Sequence, residues 1–158
     1  MHTMPSFVEV AESGPSSLVF AALQDWVQQD VGAIIFSCST FDLAAQKSRR
    51  IHTNLPDIYP VSGLKDITPN RWTRQVLDAG KAFVANSLAE IREVFPDHET
   101  IAALGCGSVV NLPVFLAGRF MGTVNVLHRP GYYSADRLDA LHTLRAPAML
   151  AFACHLQE

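Results

Sequence analysis

The residues that could do chemistry fall into one group with a common spacing. Asn111 and Asn125 lie in two strand-like runs, 108–115 and 121–128, joined by 116–120, where Gly118 suits a tight turn. Side chains alternate across a strand, so Val110, Leu112 and Val114 share one face and Val109, Asn111 and Pro113 the other. In the second run Val124 and Val126 share a face opposite Thr123, Asn125 and Leu127. An earlier run, 33–41, sets Ile35, Ser37 and Ser39 against Ile34, Phe36 and Cys38. One sheet face is thus aliphatic, and the other can gather Asn111, Asn125, Thr123 and Ser37. An apolar wall with a few converging amides and hydroxyls is what a small-molecule pocket needs. The bland alternative is that these amides bond neighbouring backbone or face solvent. Tyr59, Trp72 and Arg74 lie in or beside the connection that would roof such a pocket. The aromatics could stack on a planar ligand, and the arginine could grip a carboxylate in two places. Equally, Trp72 could be core and Arg74 solvated. Arg49 and His52, on an alternating strand, are weaker candidates of the same kind. Pro113 removes a ladder donor and is expected near an edge, a bulge or a solvated site.

Other chemistries fail on spacing. Asp97-His98-Glu99 are sequence neighbours, whereas helical ligand pairs stand three or four residues apart, and His142 and His155 are too far apart to pair. There is no HExxH, P-loop or GxSxG. No metal, cofactor or catalytic triad is expected. The three cysteines, Cys38, Cys106 and Cys154, show no CxxC spacing and read as reduced thiols.

The elements that must position these residues follow from periodicity. Val19, Ala22, Leu23, Trp26 and Val27 give an apolar helical stripe over residues 16–31, capped by Ser16 or Ser17 and stopped by Gly32. Residues 1–14 are weakly patterned and read as a lead-in. Strands are predicted at 33–41 and 47–54, an irregular loop at 55–70, and a helix at 70–79 ended by Gly80. A short strand at 81–86, helices at 88–95 and 98–104, and the hairpin follow. A last helix over 134–156 starts at Ser134 and is expected to kink at Pro147. The order is that of an α+β domain with a mostly antiparallel sheet of five to six strands, spanning 1–158 with its core at about 15–156.

Composition agrees. A chain of 158 residues, 49% hydrophobic and 17% charged, suits one globular domain. The net charge is −3 and no basic stripe is present, which argues against nucleic-acid binding. No apolar run approaches the roughly 20 residues of a membrane span, and no signal-peptide pattern opens the chain, which points to the cytoplasm.

The run Ala103-Leu-Gly-Cys-Gly-Ser-Val-Val-Asn-Leu-Pro-Val, the turn Ala117-Gly-Arg, and Met121-Gly-Thr-Val-Asn-Val-Leu-His together resemble the C-terminal half of a GAF domain. Tyr133-Ser-x-x-Arg-x-x-x-Leu resembles the start of that family's closing helix. The related PAS domains share a sheet of similar shape. More narrowly, Asn54-Leu-Pro-x-x-Tyr-Pro, Trp72-Thr-Arg-Gln-Val-Leu and Phe95-Pro-Asp-His are similar to small free-standing bacterial GAF proteins. The resemblance implies N- and C-terminal helices packed together on one sheet face and a pocket on the other. It also implies frequent homodimers through the first and last helices, and ligands such as cyclic nucleotides, tetrapyrroles or small metabolites. With no output domain in view, signalling would pass through a partner protein. An enzymatic alternative is similarity to the free methionine-(R)-sulfoxide reductases through Cys106, but Gly105-Cys106-Gly107 abuts the hairpin strand and has no evident resolving cysteine or nearby cation. A third reading is a structural dimer without a ligand. The last helix carries Leu141, Leu144, Leu150 and Phe152 on more than one side, which exceeds what one sheet face can bury and favours a dimer.

Overall fold

The computed structural model describes residues 1–158. It begins with a helix where no element is expected: α1 (Met4–Ser13). Thr3 and Ser6 cap it reciprocally and Pro5 sits in its first turn, where a missing N–H costs nothing. Phe7, Val10 and Ala11 repeat at helical spacing and pack on the main core, with Phe7 buried. Residues 1–14 are therefore not a lead-in, and the missed signal is the Thr3-Met-Pro-Ser cap.

α2 (Ser16–Asp30) follows, with Pro15 rather than a serine at its cap position. The carboxylate of Glu158 takes that role, accepting the Ser16 N–H at 2.7 Å and the Ser16 hydroxyl at 2.6 Å. A negative charge there also opposes the positive end of the helix dipole. The stop at Gly32, with φ +95°, is as expected.

The strands are β1 (Ile35–Asp42), β2 (Lys47–Thr53), β3 (Lys65–Asp66), β4 (Phe83–Ala85), β5 (Ser108–Leu116) and β6 (Arg119–His128). They form one six-stranded sheet in the order β3-β2-β1-β6-β5-β4, every neighbouring pair antiparallel. The β5–β6 turn is tighter than the sequence suggests: Ala117 and Gly118 alone make it, at φ 51° and 76°, the conformation that matches strand twist. Pro113 lies beyond the end of the short β4, on the open side of β5 and next to a register shift at Val114/Phe115. Its missing donor is harmless there.

Between β3 and β4 the chain forms α3 (Arg71–Thr73), which runs on as a π-helical turn, Arg74–Asp78. The short helices α4 (Leu88–Val94) and α5 (His98–Ala103) connect β4 to β5. The closing helix is two helices, α6 (Ala135–Thr143) and α7 (Arg145–His155). The proline ring of Pro147 would collide with the carbonyl four residues back, that of Thr143, so the first helix ends there. Pro147 then occupies the first turn of α7, and the break replaces the expected kink.

One sheet face carries Phe36, Cys38, Val110, Leu112, Val124 and Val126 against Val19, Phe20, Leu23, Ala148 and Phe152 of α2 and α7. Phe20 and Phe152 meet edge to face at 5.2 Å. Burying each ring contributes about 1.5–3 kcal/mol. α1 packs on both α2 and α7. The other sheet face is only partly filled, by a smaller cluster around Ile91, Val94, Ile101 and Val109. The space left over holds the candidate site. No helix is long and apolar enough to cross a membrane.

Candidate functional site

Cross-strand register arranges this open face into three rows. The first is Val109–Leu127–Ile35, wholly apolar. The second is Asn111–Asn125–Ser37, one step along the strands. The third is Pro113–Thr123–Ser39, and β2 extends it by placing Arg50 directly opposite Ser39. Successive rows lie about 7 Å apart, two residues of strand rise. A cavity of about 300 Å³ stands over these rows, at the small end of ligand pockets. Its roof and rim come from Tyr59 on the β2–β3 connection, Trp72 on α3, and Val94 to Asp97 at the end of α4 and just beyond it. The expected placements of Ser37, Asn111, Thr123, Asn125, Tyr59 and Trp72 on this cavity all follow from alternation and loop length.

The amides are satisfied internally. Trp72 Nε1 donates to Asn111 Oδ1 at 2.9 Å, Asn111 Nδ2 to Asn125 Oδ1 at 2.8 Å, and Asn125 Nδ2 to the hydroxyls of Ser37 and Ser39 at 3.2 and 3.3 Å. This chain of bonds spans the sheet from roof to floor. Phe41 and Phe95 flank the Trp72 ring at 6.0 and 6.5 Å and hold it over Asn111. Asn70 caps α3 and donates to Val94 O at 3.1 Å, tying the roof to α4.

The third row is not satisfied. Thr123 is 0% exposed, yet its Oγ1 has no hydrogen-bond partner, and neither does the buried Nε of Arg50. Buried polar atoms without partners are uncommon and costly. The Arg50 guanidinium lies 4.9 Å over the Tyr59 ring and donates through Nη1 to Pro60 O at 3.3 Å. Burial lowers its pKa, while Tyr59 and Asp97 pull it back up. Tyr59 donates to Asp97 Oδ2 at 2.6 Å. Burial first, then that bond and the Asp97 charge, push the phenol up, so it stays protonated. No histidine lines the cavity, and none of the serine or threonine hydroxyls donates to a carboxylate within it. The arrangement can bind and orient; it holds no activated nucleophile.

Arg74 is not part of this site. It is exposed, because two residues on from Trp72 a helix has turned about 200° and points the other way. Arg49 is also exposed, opposite Thr40. His52 faces the helices, stacked on Phe20 and 2.7 Å from Gln24 Oε1. Arg50 reaches the cavity because of a bulge: Cys38 pairs with His52 and Ser39 with Arg50, so Ile51 is an extra residue and side-chain parity flips. Regular alternation from His52 would have turned Arg50 toward the helices, and nothing in the β2 sequence marks the bulge.

Cys106 is buried in the smaller cluster beneath the cavity. Burial pushes its thiol up to about 11, away from the thiolate a reductase needs. Cys38 and Cys154 are free and lie on the helix side of the sheet.

A GAF domain family model matches residues 12–153. No curated protein sequence matches the chain significantly. Among solved structures it is similar to the GAF domain/HD domain protein from Geobacter sulfurreducens, with TM-score 0.72 and 12% identity over 92% of this chain and 97% of that one. It is also similar to the phycoerythrobilin-bound GAF domain from a cyanobacterial phytochrome, with TM-score 0.68 and 17% identity over 97% and 94%. A third is the GAF domain from Acinetobacter phosphoenolpyruvate-protein phosphotransferase, with TM-score 0.64 and 17% identity over 97% and 95%. At such identities these likenesses speak for the fold. The family match covers most of the sequence, and the chain belongs to the GAF domain family, a family of sensory and ligand-binding domains.

Proposed function

We propose that this protein is a regulatory module of the cytoplasm that binds a small molecule in the cavity over β1, β5 and β6 and performs no chemistry on it. The observation that carries the reading is the pair of unpartnered buried polar atoms, Thr123 Oγ1 and Arg50 Nε, on residues that line that cavity. A folded chain keeps such groups at a cost of about 1–3 kcal/mol each, and a ligand recovers it by drawing the two side chains, now closed to water-sized contact, toward itself. Trp72 and Tyr59 roof the ligand, and Ser37, Asn111, Asn125 and Thr123 face it. The signal would pass to a partner protein or across a homodimer. Reductase chemistry at Cys106 is disfavoured by its buried, protonated thiol.

A thermal-shift screen of small metabolites tests this. A ligand at a hundred times its dissociation constant adds about 2.7 kcal/mol to stability, a shift that Trp72→Ala should reduce. A blank screen, or hits indifferent to Trp72, would sink the binding reading in favour of a purely structural role. Consumption of thiol with free methionine sulfoxide would favour the enzyme.

A further inference from the structure

We infer that the cavity takes a small organic carboxylate with an apolar body, the carboxylate seated on the Arg50–Ser39–Thr123 row and the body lying toward Val109, Leu127 and Ile35. The inference rests on the reading of the cavity as a ligand site and names the chemistry that fits it.

Three donors converge at one end. Arg50 takes part in neither of the two ion pairs, Lys47–Asp66 and Arg71–Glu93, and of its five N–H groups one is used, by Pro60 O. Asp97, the acid that acts on it, already accepts from Tyr59. The Nε edge of a planar guanidinium is shaped for two-point contact with a carboxylate. Ser39 sits between the two unpartnered groups in register. Its oxygen already accepts from Asn125, so its own proton is free to be donated. Thr123 supplies a third hydroxyl. A site with donors to spare at one place calls for an acceptor-rich group. With Asp66 paired to Lys47, the cavity's Arg50 and Lys65 stand against Asp97 and leave one net positive charge, which a carboxylate balances and a phosphate ester, at about two, exceeds.

The rest of the cavity limits the body. The middle row is closed on itself through Trp72, Asn111 and Asn125 and asks nothing of a ligand beyond contact. The far row, Val109–Leu127–Ile35, carries no polar side chain and lies under Ile101 and Phe95. A polar substituent there would lose its water without gaining a partner. Within about 300 Å³ the fitting molecule is a short aliphatic or single-ring carboxylic acid.

The test uses the full chain with its tryptophans ¹⁵N-labelled. Trp72 reports on the cavity through the indole N–H that bonds Asn111, and Trp26, against α1 on the far side of the sheet, is the internal control. Hexanoate and phenylacetate are titrated beside their neutral amides, hexanamide and phenylacetamide. The acids should move the Trp72 resonance, leave Trp26 in place, and bind roughly tenfold or more tighter than the amides, as loss of a charge-assisted bond implies. Arg50→Gln should erase that preference, and Thr123→Val should weaken the acids without lowering Tm. Should Arg50→Gln fail to fold, the acid-to-amide ratio on the unmodified protein decides alone. Amides that bind as well as acids, or a preference that survives Arg50→Gln, would overturn the carboxylate inference and leave the cavity a ligand site. The carboxylate inference falls in the same way if no probe moves Trp72 while a molecule without a carboxylate does so in the metabolite screen. If nothing in either experiment moves Trp72, both readings fall together.

Discussion

Asn111 and Thr123 face the same cavity from paired strands, but their hydrogen bonding gives their removal opposite consequences. From the sequence, two amides on one face imply either a closed network or a ligand that completes it, and a site held only for function would tolerate Asn111→Leu. The network is closed: Asn111 accepts from Trp72 and donates to Asn125. Asn111→Leu therefore strands the indole N–H and the Asn125 carbonyl oxygen, and should cost about 1–3 kcal/mol for each group left buried. Thr123→Val removes a hydroxyl that has no partner and should leave the protein as stable or raise its Tm. Thermal unfolding of the two variants checks the sign; equal losses would mean that Thr123 is bonded after all. The thiols make a second residue-scale prediction. With Cys106 pushed up to about 11 and buried among Ile101, Val109 and Leu127, alkylation of the native protein near neutral pH should be slow at Cys106 and accelerate on unfolding. Fast labelling of Cys106 in the folded state would reopen the thiolate chemistry.

Among the elements, β6 and β2 determine how the cavity floor is made. Gly122 lies at φ +152°, where an added Cβ would run into the Ser39 carbonyl and the Phe152 ring. Gly122→Ala should thus push β1 from β6 next to Thr123, lowering Tm and weakening any ligand, whereas the same change at Gly63, with open space around it, should do neither. β2 contributes from both faces. On the helix side His52 is held below its usual 6.5 by burial, against the pull of Asp25. The unfolded chain then binds the proton more readily than the folded one. The stability His52 contributes is complete above pH 6.5 and is lost as pH falls toward the folded value. His52→Gln should flatten the fall in Tm between about pH 7 and pH 5, and an unchanged slope would assign that fall elsewhere, for instance to His128. The two faces of β2 also mark how far the sequence could be read. Strict alternation in β1, β5 and β6 makes their cavity-facing residues legible, because each pairs without a shift across the floor. The Arg50 position depends on a bulge set by tertiary pairing and leaves no mark in local residue types. The outward turn of Arg74, by contrast, follows from the helix predicted at 70–79, two residues on from Trp72.

At the scale of the whole molecule, α1 changes the case for assembly. The apolar stripe on α2 and the many-sided apolar residues of the last helices exceed what one sheet face buries, and a dimer seam is one way to cover the surplus. α1 covers part of it within the chain: Phe7 meets Trp26 at 5.8 Å, and Val10 and Ala11 join the same core. This helix has only a narrow repeat, Phe7, Val10 and Ala11, and the cap at Thr3 to Ser6 is the signal that separates it from a lead-in. What α1 leaves uncovered is a different strip: Met4 and Val8, one turn apart on its outer side, and Leu18 against Gly14 on α2, exposed by 39%, 36% and 55%. A homodimer of this protein is accordingly proposed to use that strip, and not the side of α2 that carries Val19, which is buried within the chain. Single exposed apolar residues are ordinary, but a group of them on adjoining helices is the kind of patch that seeks cover. Leu18→Glu and Val8→Glu should each turn a dimer into a monomer by light scattering while changing the stability of the isolated fold by no more than about 0.5 kcal/mol, because neither side chain is core. Trp26→Ala, by contrast, should destabilise the fold by opening the α1–α2 contact, whatever the oligomeric state. If the unmodified protein is a monomer at high micromolar concentration, the strip is solvent surface and any signal must leave through a partner protein.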